Sequence, residues 1–153
     1  MLKKQKPTEG SLQQKAADLL ARRPHFSKEL EAKLVERGFE EEKVREVIKD
    51  FEERGYLNDS DHALLYLEEL KRKKYGRYEA VRRLSAKGVE YKTAQRITET
   101  FFLEKDEREN IRYLLNKKKF NLKDIRGVKQ ASDFLMRRGF GSDLIREVLK
   151  FED

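Results

Sequence analysis

Apolar residues along this chain recur at helical spacing. Leu12, Ala16, Leu19 and Leu20 share one helical face, Pro24 interrupts the pattern, and Ser27 followed by Glu29 and Leu30 opens a second helix with Leu30 and Leu34 as its stripe. Val44, Val47, Ile48 and Phe51 mark a third helix that stops at Gly55. The same reasoning predicts helices over roughly 60–73, 77–87 and 90–103, led by Ala63, Leu67 and Leu70. Three more follow over roughly 104–119, 128–138 and 142–151, led by Ile111, Leu114 and Leu115. No stretch alternates with period two, so the expected fold class is all-α.

The helices repeat as a group. Three segments, "LVERGFEEEKVREVIKDF", "LSAKGVEYKTAQRITETF" and "LMRRGFGSDLIREVLKF", align on Gly38, Gly88 and Gly139, at spacings of 50 and 51 residues. Each glycine follows a basic residue (Arg37, Lys87, Arg138) and precedes an apolar one (Phe39, Val89, Phe140). Apolar or small residues return at Val44 and Val47, Ala94 and Ile97, Ile145 and Val148, and an aromatic closes each segment at Phe51, Phe101 and Phe151. Each glycine sits where a helix needs a left-handed residue to end and where cations complement the helix dipole. They are therefore helix stops, not phosphate cradles. The expectation is three tandem three-helix repeats, residues 11–58, 59–103 and 104–153, in an elongated, curved, solenoid-like array whose neighbouring units share apolar surface. Residues 1–10, lysine-rich and without apolar periodicity, are expected to be a disordered tail.

Composition narrows the chemistry. Of 153 residues, 42% are charged and 37% apolar, with a mean hydropathy of -0.93, so the apolar stripes are narrow and wide helical faces lie in solvent. The absence of cysteine removes disulfides, thiolate catalysis and cysteine-based zinc sites, and suits a reducing cytoplasm. The N-terminus lacks an apolar signal core, and no apolar run approaches the roughly 20 residues of a membrane span, which predicts a soluble cytoplasmic protein. The net charge of +7 is uneven: the three expected repeats, the first counted with its tail, carry +1, +3 and +3. A cationic surface of this kind favours encounter with polyanions or acidic proteins.

Asp59, Asp61 and His62 form a small polar cluster before the fourth helix, but the other histidine, His25, lies in an unrelated turn. With so few ligands and no HExxH, nucleophile elbow or phosphate loop, neither a catalytic nor a metal site is expected, and no cofactor is implied. The economical reading is that Asp59 or Ser60 caps the fourth helix while Asp61 complements its dipole. Tyr56, Tyr75, Tyr78 and Tyr91 are expected to pack at helix junctions rather than to stack on bases. The strongest candidate for binding is the stretch "KRKKYGRYEAVRRL". Its Lys71, Arg72, Lys73, Lys74, Arg77, Arg82 and Arg83 face a single acid, Glu79, and could converge with Lys87 on phosphates or on an acidic protein surface. Lys117, Lys118 and Lys119 form a second block.

Three stretches, "LLARRPHFSKELEAKLVERGF", "GYLNDSDHALLYL" and "KKYGRYEAVRRLSAKGV", together resemble the RecX family, proteins that modulate the bacterial RecA recombinase. The likeness spans residues 12 to 151 and is strongest over 19–89; in the third repeat mainly "RRGF" and the helix after it match. His62 departs from the pattern, standing where the family usually has an aromatic such as phenylalanine, and Glu68 and Glu69 make that helix more acidic than expected.

The resemblance implies three-helix repeats and a mechanism without catalysis. A monomeric rod would lodge in the groove of the RecA filament on single-stranded DNA, span neighbouring protomers, and hinder strand exchange, ATP hydrolysis and the co-protease role in DNA repair, recombination and the SOS response. Modest contacts repeated along one body add avidity. Two other readings stand beside it: a helical nucleic-acid-binding array acting without RecA, and, more remotely, an enzyme using Asp59, Asp61 and His62.

Overall fold

The computed structural model describes residues 9–150, and over this range all regular secondary structure is α-helix. The elements are α1 (Glu9–Arg22), α2 (Ser27–Glu36), α3 (Glu41–Glu53), α4 (Asp59–Arg72), α5 (Arg77–Ala86), α6 (Tyr91–Phe101), α7 (Glu104–Lys118), α8 (Ile125–Arg137) and α9 (Ser142–Lys150). Taken in order they form three sets of three helices. Glu9 and Gly10 belong to α1; the rest of the expected tail, and Phe151, lie outside the described residues. None of the described helices is long and apolar enough to cross a membrane.

Helix ends follow a common chemistry. Past α2, Gly38 has φ 95°, with Gly38 N–H bonded to the Val35 carbonyl at 2.9 Å and Phe39 N–H to the Leu34 carbonyl at 3.3 Å. Past α8 the pattern recurs: Gly139 has φ 92°, its N–H bonds to Met136 and that of Phe140 to Leu135. These are the paired bonds that close a helix through a left-handed residue. Two helices end on lysine instead, with Lys74 at φ 65° after α4 and Lys119 at φ 52° after α7.

The chain divides into two compact units. The first holds residues through His62 together with 87–89. Its core is Leu12, Ala16 and Leu19 of α1, Leu30 and Leu34 of α2, Val44, Val47, Ile48 and Phe51 of α3, and Leu57. Burying these ten side chains provides the main driving force for the unit, since each well-buried aliphatic contributes about 1.5–3 kcal/mol. The second unit, residues 63–86 and 90 onward, buries Leu67, Leu70, Leu84, Ala94 and Phe102. Around α7–α9 it builds a further cluster of Ile111, Leu114, Leu115, Ala131, Leu135, Phe140, Leu144, Ile145 and Val148. Within it the start of α5 docks on the α8–α9 turn. Gly76 N–H donates to the Arg138 carbonyl at 2.8 Å and Tyr78 N–H to the Gly139 carbonyl at 3.0 Å. The backbones there are so close that a Cβ on Gly139 would collide with the backbone of Glu79.

Candidate polyanion-binding surface

The polar cluster before α4 is structural. The α4 cap is Asn58, whose side chain accepts from Asp61 N–H at 3.1 Å. Asp59 caps a different helix: its Oδ1 accepts from Ser27 N–H at 2.8 Å and from Ser27 Oγ at 3.2 Å, satisfying the first turn of α2. The expectation that Asp59 or Ser60 caps α4 is thereby corrected. His62 lays its ring on Phe26, with centroids 4.2 Å apart, so it keeps a planar side chain at that position. His25 is not remote from it electrostatically. Both face Glu29, His25 Nε2 at 3.7 Å from Glu29 Oε1, and burial pushes both imidazoles below their ordinary range. Among the described residues no group of His, Asp and Glu is arranged to hold a metal.

The predicted basic residues divide into two populations. Most of the stretch from 71 to 87 is held by carboxylates of the fold. Lys71 Nζ lies 2.5 Å from Asp106, Lys73 Nζ 2.7 Å from Glu69, and Lys87 Nζ 3.2 Å from Glu29. Arg82 Nε and Nη2 grip the two Glu79 oxygens at 2.8 and 2.6 Å, and Arg83 Nε adds a third bond at 2.8 Å. Against the desolvation of a largely buried side chain, these bonds, Arg82 foremost, pull the Glu79 pKa down to about 2.

Arg77 is the most deeply committed. Glu107, only 2% exposed, accepts from Arg77 N–H at 2.9 Å and from its Nε at 2.8 Å, and Arg77 Nη2 donates to the Phe102 carbonyl at 3.0 Å. A buried carboxylate is tolerated only with such compensation.

The second population has no carboxylate partner: Arg72, Lys74, Lys117, Lys118 and Lys119 make no ion pair among the described residues. The ends of α4 and α7 bring members of both sequence blocks together. Lys74 Nζ lies 5.2 Å and Lys117 Nζ 5.8 Å from the ring of Tyr113, which is half-exposed. Lys118 Nζ stands 5.3 Å over Phe134. Beside them an open groove of about 730 Å³ is lined by Arg72 and Lys74, but also by Glu68, Glu69 and Glu109, so the positive potential belongs to the helix ends rather than to the groove.

Two residues of this surface carry no signal in the basic runs. Tyr113 precedes Lys117 by four positions, an i,i+4 spacing that does place the two on one helical face. Arg138, read only as a helix-stop cation, reaches back to the end of α4. Its Nε donates to the Lys74 carbonyl at 3.0 Å, its Nη2 donates to the Lys73 carbonyl, and its guanidinium lies 4.3 Å from the Tyr75 ring, as does that of Arg83. Tyr75 packs at a helix junction as expected. Tyr56 sets its ring edge-on to Phe51, with centroids 5.5 Å apart, yet it, Tyr78 and Tyr91 stay 63%, 62% and 62% exposed.

The model of the RecX first three-helix domain matches residues 14–51, the α1–α3 set. The Regulatory protein RecX of Caldanaerobacter subterraneus subsp. tengcongensis is 30% identical over 131 residues, covering 86% of this chain and 65% of that protein. The Regulatory protein RecX of Stenotrophomonas maltophilia strain R551-3 is 29% identical over 152 residues, covering 98% of this chain and 92% of the relative. Along nearly its whole length the chain is similar to RecX proteins. A crystal structure of RecX from Lactobacillus salivarius superposes with a TM-score of 0.79 at 19% identity, covering 93% of this chain and 94% of that one, and so shares the fold. The RecX fold of tandem three-helix repeats is thus the frame on which the α4 and α7 ends present their lysines.

Proposed function

We propose that this chain is a non-enzymatic regulator of RecA that binds the RecA–DNA filament and lowers its recombinase, ATPase and co-protease activities in DNA repair, recombination and the SOS response. Residues 11–58, 59–103 and 104–153 act as its three repeats, and the chain works as a cytoplasmic monomer. Similarity to RecX proteins along nearly the whole chain carries the reading. The unpaired Lys74 and Lys117 over Tyr113, joined by Arg72, Lys118 and Lys119, are the residues best fitted to touch DNA phosphates or acidic filament surface. The ion-paired Lys71, Lys73, Arg77, Arg82, Arg83 and Lys87 mainly hold that surface in shape.

The test is the DNA-dependent ATPase of the cognate RecA. It should fall with this protein present at well below one copy per protomer, and Lys74→Glu with Lys117→Glu should blunt the inhibition several-fold while helical circular dichroism stays the same. No change in ATPase at saturating protein would overturn the reading. The same unpaired lysines also suit a helical nucleic-acid-binding protein acting without RecA. That alternative gains if DNA binding without RecA is tight and falls steeply with salt as counterions are released.

A further inference from the structure

A cleft between α5 and α6, with a volume of about 320 Å³, combines features found nowhere else among the described residues. Tyr78 and Tyr91 line it, each 62% exposed, so two large rings stand in water beside an apolar wall that includes Val81. Ser85 and Thr98 also line it, and neither hydroxyl has a hydrogen-bond partner although both oxygens are buried and Thr98 is only 1% exposed. Of the four buried side-chain polar atoms left without a partner among the described residues, two belong to this cleft. A buried polar group left unpaired is costly, and such groups normally mark a missing partner.

The volume lies at the lower end of small-molecule sites, which are mostly apolar with a few placed polar groups. The polar groups here are the two hydroxyls, the Gln95 amide, the Glu99 carboxylate and, at the rim, the exposed Arg82 guanidinium. With the two tyrosine rings, that set supplies flat faces for stacking and donors and acceptors for a polar ring edge; the Arg82 guanidinium is shared with Glu79. A purely apolar side chain from a protein partner would leave the hydroxyls unpaired. A nucleobase has both the π face and the polar edge, and aromatic platforms bind bases of any sequence.

We propose that the α5–α6 cleft holds one unstacked nucleobase of a single strand, with Tyr78 and Tyr91 as stacking faces and Ser85, Gln95, Thr98 and Glu99 bonding its edge. This rests on the nucleic-acid part of the reading above and assigns the cleft to the strand rather than to the filament protein.

The experiment uses the full chain and a short single-stranded oligonucleotide carrying one fluorescent adenine analogue. Binding should quench the analogue, and Tyr78→Ala with Tyr91→Ala should weaken affinity by roughly tenfold or more. Tyr78→Phe with Tyr91→Phe should preserve affinity, which separates loss of stacking from any loss of fold. Thr98→Val, which keeps the side-chain shape, should weaken affinity by a smaller factor. An oligonucleotide of equal length and charge in which every base is missing should bind the native chain no better than the intact strand binds the alanine variant.

Equal binding of intact and abasic strands would overturn the proposal. So would alanine variants that keep full strand affinity but lose RecA inhibition, because the occupant would then be a protein side chain. A free deoxynucleoside monophosphate that binds as tightly as the oligonucleotide would make the cleft a metabolite site and overturn its assignment to a strand. Base-dependent quenching without any effect on the RecA ATPase would leave this inference standing while the preceding reading fails.

Discussion

Glu79 accepts three guanidinium hydrogen bonds on one turn of α5, two from Arg82 and one from Arg83, and its pKa falls from 4.5 to about 2. A carboxylate with a depressed folded-state pKa adds stability that is fully present above its unfolded value and is lost as protons bind to it. The contribution should therefore hold above about pH 4.5 and fade toward pH 2. Comparing the native chain with Glu79→Gln in urea, the gap in unfolding midpoint should be widest at neutral pH and close as pH falls through that window. A gap that stays constant down to pH 3 or so would contradict it. This triplet is visible in the sequence, because positions three and four apart meet on a helix. The pairs that commit Lys71 and Arg77 are not, since their partners Asp106 and Glu107 lie 35 and 30 residues away. That is why a stretch that reads as seven free cations has carboxylate partners at five of them.

Elements were legible where their signals are local. The stops at Gly38, Gly88 and Gly139 all have positive φ, near 95°, and the apolar stripes of α1, α2 and α3 coincide with the buried core. α8 begins at Ile125, one turn before the roughly 128 that its apolar stripe predicts, because Gly127 interrupts the stripe while Asp124 sets the boundary, its side chain accepting from Arg126 and Gly127 N–H. The cap of α2 was illegible for a different reason. Phe26 occupies the cap position and offers no side-chain acceptor, so the first turn borrows Asp59 from 32 residues on. Asp59→Ala should cost about 1 kcal/mol, a usual figure for a lost cap, and should speed amide exchange selectively in the first turn of α2. If exchange instead rises in the first turn of α4, Asp59 serves its own helix after all.

At the scale of the whole molecule, the fifty-residue repeat and the all-helical fold are readable from periodicity, because the apolar stripes recur at helical spacing and three helix stops fall on aligned glycines. The candidate surface is only half legible: the lysine blocks stand in the sequence, but their meeting on Tyr113 depends on how α4 and α7 pack within one unit. Lys74 and Lys119 carry a further consequence. Both occupy left-handed backbone that glycine enters freely, and both close the helices whose ends bear the unpaired cations. A side chain held there strains the backbone by on the order of 1 kcal/mol. Lys74→Gly and Lys119→Gly should each raise the melting temperature by roughly 2–4 °C while weakening oligonucleotide binding. A melting temperature that stays level or drops would show that neither lysine is strained. The native chain then sits below the stability its own backbone permits, with rigidity conceded at two helix ends in return for reach and charge.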